Sequence, residues 1–279
     1  MRWVYLAMLS LAGAVAQGQE FRQIDFPGAA ATIALAASGK GDIVGDFRGS
    51  TGQRYGFVLD SEGVFRTVHM EGTIDTRPLG INVFDVLAGR YQDAAEKQHA
   101  FVFERGVFTT IDYPGATDSR ALAINDHGDV IGRYAATDGI TRGFLYKQGT
   151  FTTIEYPDAF ETIGRAINNE GVIVGRYQDT ARVTHGFVLD RGEFTRVDFP
   201  GATSSNIGGI NSRGDIVGGY QDSDGNNHGY FLRGGEFTTI DFPSAVSTST
   251  IGINDLGAVV GQYRDANGAT HGYVRTVAR

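Results

Sequence analysis

Six copies of one unit of about 43 residues, each divisible into four short β-rich runs, predict an all-β chain closed into a six-bladed β-propeller. Three observations carry this. The first is the recurrence: FRQIDFPGA begins at Phe21, FTTIDYPGA at Phe108, FTTIEYPDA at Phe151, FTRVDFPGA at Phe194 and FTTIDFPSA at Phe237, with a degenerate copy, FRTVHMEGT, at Phe65. The second is that the terminal copies are as apolar as the middle ones, whereas an open stack of repeats needs polar end caps. The third is phase. Residues 21–26 precede the first full set of runs, so they are expected to complete the sheet begun by the last copy and to close the ring.

In chain order, Arg2 and the apolar residues 3–15, followed by Ala14-Val15-Ala16, read as a cleaved signal peptide over 1–16. The apolar run is short for a membrane-spanning helix, which needs about 20 residues. Residues 17–279 are then one propeller, with units starting near 21, 65, 108, 151, 194 and 237. Within a unit, FTTIDF is a β-rich run closed by Pro-Gly. A second run ends in Ile-Asn, as at Ile124-Asn125, and a glycine-containing turn such as 125–128 follows. The third run is of the type 129–134 and the fourth of the type 185–189. Small residues in the second run (Ala36, Gly80, Ala123, Ala166, Gly209 and Gly252) suit crowding around a central axis.

Composition narrows the function. A net charge of −8 argues against a nucleic-acid partner, and the absence of cysteine excludes disulfides and thiolate metal sites. These features predict a secreted monomer, extracellular or periplasmic, without a membrane span.

The unit resembles the HAF-type extracellular repeat of bacterial secreted proteins. The name-giving tripeptide stands at His99-Ala100-Phe101, with related forms at His185-Gly186-Phe187, His228-Gly229-Tyr230 and His271-Gly272-Tyr273. Ile-Asn-x-x-Gly and the following Val/Ile-Val/Ile-Gly fit the same pattern. The resemblance spans residues 21–279 and implies secretion and a repetitive β-fold. It carries over no catalytic residue.

Candidate chemistry lies in several columns of the repeat. His99, His185, His228 and His271 share one column, and an aspartate stands six residues before each (Asp93, Asp179, Asp222 and Asp265). Spread around a ring they cannot share one metal, so they read as a structural Asp–His clamp. Asp222, Asp224 and Asn226 form an acidic loop that suits calcium, but it lacks a distal bidentate glutamate and reads better as a hairpin turn. The aromatic columns, such as Tyr134 and Tyr113, read as packing between blades.

The copies differ most in units two to four. Asp75 with Arg77, Asp118 with Arg120 and Glu161 with Arg165 are expected on loops of one face, near Arg90, Arg133 and Arg176. Six arginines interleaved with carboxylates are either salt bridges between blades or a site for an anionic ligand, a glycan or other small molecule or polymer. A binding propeller is the favoured reading. The alternatives are a structural envelope protein and a polysaccharide lyase or hydrolase using His69, Glu71 and Asp75. The chain has no Gly-x-Ser-x-Gly or His-Glu-x-x-His motif.

Overall fold

The computed structural model describes residues 21–277, so the proposed signal peptide lies outside the described residues. Among those residues there are 24 strands and no helix, hence none long and apolar enough to cross a membrane. The strands form six antiparallel blades around one axis. Blades 2 to 5 are separate four-stranded sheets. Blade 3 is representative, running from Asp118–Ile124 at the axis through Val130–Ala135 and Thr141–Lys147 to Thr150–Ile154 at the rim.

Closure follows the phase of the sequence. The strand Phe21–Ile24 pairs antiparallel with Thr270–Thr276, in register from Phe21 opposite Arg275 to Ile24 opposite Gly272. The sixth blade therefore takes its outermost strand from the start of the described chain. A single parallel bridge, Ala31 to Thr270, also ties the first blade to the sixth.

Local chemistry explains each turn. In blade 3 the Asn125 side-chain oxygen accepts hydrogen bonds from the backbone N–H of His127 and Asp129, and Gly128 adopts the left-handed φ of 80° that completes the turn. The asparagine amide then reaches sideways. Asn82 donates to the Asn125 carbonyl, Asn125 to Asn168, Asn168 to Asn211, Asn211 to Asn254 and Asn254 to Ser38. All five asparagines are buried, and together they staple neighbouring blades at one end of the axis.

Packing rests on three aromatic columns. Phe57, Phe101, Phe144, Phe187, Tyr230 and Tyr273 are fully buried, one per blade. Each lies over a glycine on the neighbouring strand. At Gly132 a Cβ would fall 2.1 Å from the Arg120 carbonyl and 2.6 Å from the Phe144 ring, so no other residue fits. The other two columns stack across blade boundaries, Phe26 on Phe47 at 3.6 Å and Tyr113 on Tyr134 at 3.7 Å between centroids. Their tyrosine edges are occupied as well, as where the Tyr263 hydroxyl donates to Gln23 at 2.6 Å.

Each innermost strand contains one bulged residue, left out of the ladder between Gly164 and Ala166 in blade 4 and at the matching place in every other blade. The bulged residues are Leu35, Leu79, Leu122, Arg165, Gly208 and Ile251, and all six line the axial channel.

Removing residues 21–26 strips the sixth blade of its outer strand, and the melting temperature is expected to fall sharply; an unchanged value would rule out closure by this strand. Gly132→Ala should cost about 1–3 kcal/mol or more through overpacking, measured by denaturant unfolding.

Candidate functional site

The six arginines of blades 2 to 4 gather within one another's electrostatic reach, and among them Arg165 lines the axial channel. They stand on strands, not on the loops the sequence pointed to: Asp75 and Arg77 lie in Asp75–Ile81, Asp118 and Arg120 in Asp118–Ile124, Glu161 and Arg165 in Glu161–Ile167. Arg90, Arg133 and Arg176 lie on the second strands, where Arg90 pairs in register with Arg77 and Arg133 with Arg120.

Most of these charges are matched within their own blade. Arg90 grips Asp75 through two hydrogen bonds of 2.9 and 2.8 Å, both side chains nearly buried. Arg176 donates to Glu161 at 3.0 Å, while Arg120 and Arg133 share Asp118 at 3.4 and 3.7 Å. Only Arg77 crosses a blade boundary, donating to Asp46 of blade 1 at 2.7 Å, and Arg54 holds the other oxygen of that carboxylate. Salt bridges between blades thus account for one of the six arginines.

The network is incompletely satisfied. The Nε groups of Arg77, Arg120, Arg165 and Arg176 are buried without a hydrogen-bond partner, as is Asp118 Oδ1, because the Arg120–Asp118 approach is close but poorly aligned. Buried polar atoms of this kind are rare in folded proteins and call for a partner. Burial and the neighbouring Arg77 draw the Arg90 pKa down, and burial with Arg133 does the same to Arg120. For Arg165, burial followed by the fields of Arg176 and Arg133 lowers it to about 10. The guanidinium groups therefore share one poorly solvated space.

Arg165 is not the counterpart of Arg77 and Arg120. The residue opposite Arg176 is Ile163, and Arg165 occupies the bulge, where blades 1 to 3 place leucines. The repeat itself carries the signal: counted from Phe65, Phe108 and Phe151, Ile163 shares the column of Arg77 and Arg120, and Arg165 shares that of Leu79 and Leu122. Across the channel the same level is neutral, lined by Asn206, Ser249 and Gln262.

The three residues considered for catalysis do not form a matched set. Asp75 has both oxygens engaged by Arg90. His69 and Glu71 are exposed, and neither side chain has a hydrogen bond or ion pair to a described residue.

The histidine clamp has two jaws. Besides the aspartate six residues before it, each ring meets a second carboxylate: His99 lies 2.6 Å from Asp112, His185 2.9 Å from Asp198, His228 2.9 Å from Asp241 and His271 3.0 Å from Asp25. The second partner is the aspartate of the FTTIDF run. Sequence offered a signal for it. Blade 1 has Tyr55 in the histidine column, and His69, just after its outer strand, replaces that aspartate, while Arg142 keeps two acids, Asp138 and Glu155.

In the Asp222 loop, Oδ1 accepts from the backbone N–H of Asp224 and Asn226 and Oδ2 from the Asn226 amide and His228. The carboxylate thus serves the turn. Among the described residues no group of three or more His, Cys, Asp or Glu side chains is placed to hold a metal.

No protein-family model matches the chain, and no curated protein matches it. Solved structures do. The Aleuria aurantia lectin, a six-bladed β-propeller with a fucose recognition mode, matches with a TM-score of 0.55 and 12% identity over 88% of this chain and 91% of its own. The β-propeller domain of the Trilobed protease from Pyrococcus furiosus gives 0.57 and 10% over 90% and 94%. TolB from Acinetobacter baumannii gives 0.60 and 12% over 88% and 64%. The chain is a six-bladed β-propeller. At these identities the likeness concerns the fold alone.

The clamp has a signed pH dependence. Burial opposes the charged His228 ring, but hydrogen bonds to Asp241 and Asp222 outweigh it and raise its pKa above the ordinary 6.5. That stabilisation is complete below pH 6.5 and is lost as pH rises through the raised value. Hydrogen bonds from Asn226, then the other turn donors, hold Asp222 at about 2, below the ordinary 3.8, so its share is present above 3.8 and lost as pH falls through about 2. The melting-temperature gap between wild type and His228→Gln should therefore be widest between about pH 4 and 6.5 and narrow above it; a gap constant from acid to alkaline pH would exclude the charged clamp.

Proposed function

We propose that this chain is a binding propeller that takes an anionic carbohydrate at the charged mouth of its axial channel, outside the cytoplasm. The observation that carries the reading is the gathering of six arginines on one sector with several Nε donors buried and unused. In a chain of net charge −8, a local excess of positive charge beside an open channel is a feature to explain. Guanidinium forks match carboxylates and similar anions, and a partly desolvated site strengthens that attraction.

Carbohydrate is favoured over other anions by two supports. The neutral wall of Asn206, Ser249 and Gln262 offers hydrogen-bonding side chains suited to hydroxyl groups, and the Ser249 and Gln262 side chains have no hydrogen bond to a described residue. The fold is also one that the Aleuria aurantia lectin uses for fucose recognition. The resemblance to HAF-type repeats and the leader-like residues 1–16 support a location where polysaccharides are met.

Blade 6 supplies a clean test. At the places of Asp118, Arg120 and Arg133 it carries Ser247, Ser249 and Gln262. Grafting that set onto blade 3 (Asp118→Ser, Arg120→Ser, Arg133→Gln) should preserve the melting temperature. It should weaken binding of an acidic oligosaccharide about ten-fold or more in calorimetry, and wild-type affinity should fall as salt rises. Equal binding of neutral and acidic oligosaccharides by the wild type would overturn the reading.

A further inference from the structure

The channel has a gradient along its axis. At the mouth it is lined by Asn206, Ser249 and Gln262. Its waist is the ring of bulged residues, in which Leu35, Leu79, Leu122 and Ile251 are apolar, Gly208 has no side chain and Arg165 alone is charged. Below the waist come isoleucines and then the asparagine ring.

The space is also unequal. The upper cavity holds about 390 Å³, within the range of small-molecule sites, whereas the lower one holds about 80 Å³, room for a handful of waters. The innermost strands lie close together around it, since a Cβ on Gly80 would fall 2.8 Å from the Ala123 backbone and one on Gly252 2.8 Å from the Leu35 carbonyl. The larger space lies at the charged mouth, which favours entry by the end of a chain from that side.

Arg165 differs from the other five arginines of the sector. Arg77, Arg90, Arg120, Arg133 and Arg176 each lie within ion-pair distance of a carboxylate. Arg165 has no hydrogen bond or ion pair to a described residue, and its Nε is buried. Three blades place leucine at the same bulge, so the fold does not need an arginine there. An unpaired charge in a poorly solvated place weakens a fold, and it is retained where a ligand supplies the partner.

We propose that the axial channel receives a single sugar-acid residue at the end of a chain, its carboxylate paired with the Arg165 guanidinium and its hydroxyls met by Ser249 and Gln262. The apolar waist lies under the carbon face of the ring and stops further entry. The ligand class is thus an oligosaccharide that ends in a uronic-acid-type sugar, and Arg165 is the residue that selects for the acid. This rests on the carbohydrate-binding reading above and adds the position, the end-on mode and the selecting group.

The experiment uses the full chain, with trigalacturonate, its carboxamide analogue and long polygalacturonate as probes in titration calorimetry. Wild type should bind the trimer and not the carboxamide. Arg165→Leu, which installs the residue of blades 1 to 3, should weaken trimer binding about ten-fold or more without lowering the melting temperature. Arg165→Met serves as a second neutral variant should the leucine misfold. End-on binding also sets the stoichiometry, one propeller per chain for the trimer and the long polymer alike. Unchanged trimer affinity in Arg165→Leu and Arg165→Met, or several propellers per long chain, would overturn the proposal. If the blade 3 graft abolishes binding while both Arg165 variants bind normally, the carbohydrate reading stands and the end-on mode fails. If wild type binds no acidic saccharide, the carbohydrate reading itself fails.

Discussion

The close approach of six innermost strands around one axis is the constraint on which the rest of the molecule depends. Strands this near to one another leave no room for side chains between them, which is why Gly80 faces the Ala123 backbone and Gly209 the Gly252 backbone at 2.8 and 3.0 Å from a Cβ. A bulge in each inner strand relieves the crowding by turning one residue out of the ladder and into the channel. The same device that lets the ring close therefore decides which six side chains face the axis. In five of them the residue is apolar or glycine, and in blade 4 it is Arg165.

Electrostatics at the mouth follow from that geometry. Arg90, Arg120, Arg133 and Arg176 each meet a carboxylate two residues along the same sheet, Arg77 reaches Asp46 of blade 1, and Arg90 with Asp75 reaches the two-bond geometry that makes a nearly buried pair tolerable. The bulge carries Arg165 away from that pattern and into the axial channel, where partial desolvation and the fields of Arg176 and Arg133 oppose its charge. Pairing and exclusion thus separate five structural charges from one that faces an open cavity. The neutral half of the mouth arises because blades 5 and 6 carry Asn206, Gly219, Ser249 and Gln262 at the same levels.

The rim obeys a different logic, in which repetition serves stability. Three inter-blade aromatic stacks continue into a histidine, at His185, His228 and His271, and each of these rings is held between two aspartates. Where the histidine is replaced its partners change with it: Tyr55 binds Gln53 instead, and Arg142 takes Asp138 and Glu155. The clamp is a local unit that can be exchanged as a set, without consequence for the axis.

Sequence by itself determined the number of blades, the four strands of each, the closure by residues 21–26 and the sector in which the copies diverge. Those properties are written in periodicity, turn chemistry and strand phase, which act over short stretches of chain. It also exposed the first jaw of the histidine clamp, because Asp222 and His228 are six residues apart. The second jaw, Asp241, comes from the next strand of the sheet and needed the pairing register to be seen. Only the tertiary structure decided the rest. Arg165 stands in the repeat column of Leu79 and Leu122, and only the bulge in each inner strand shows that this column turns into the channel. Ser249 and Gln262 look like neutral substitutions until the ring brings them across from it. Side-chain direction around a closed axis depends on the bulge and on the curvature of the ring, and neither has a signature in residue spacing.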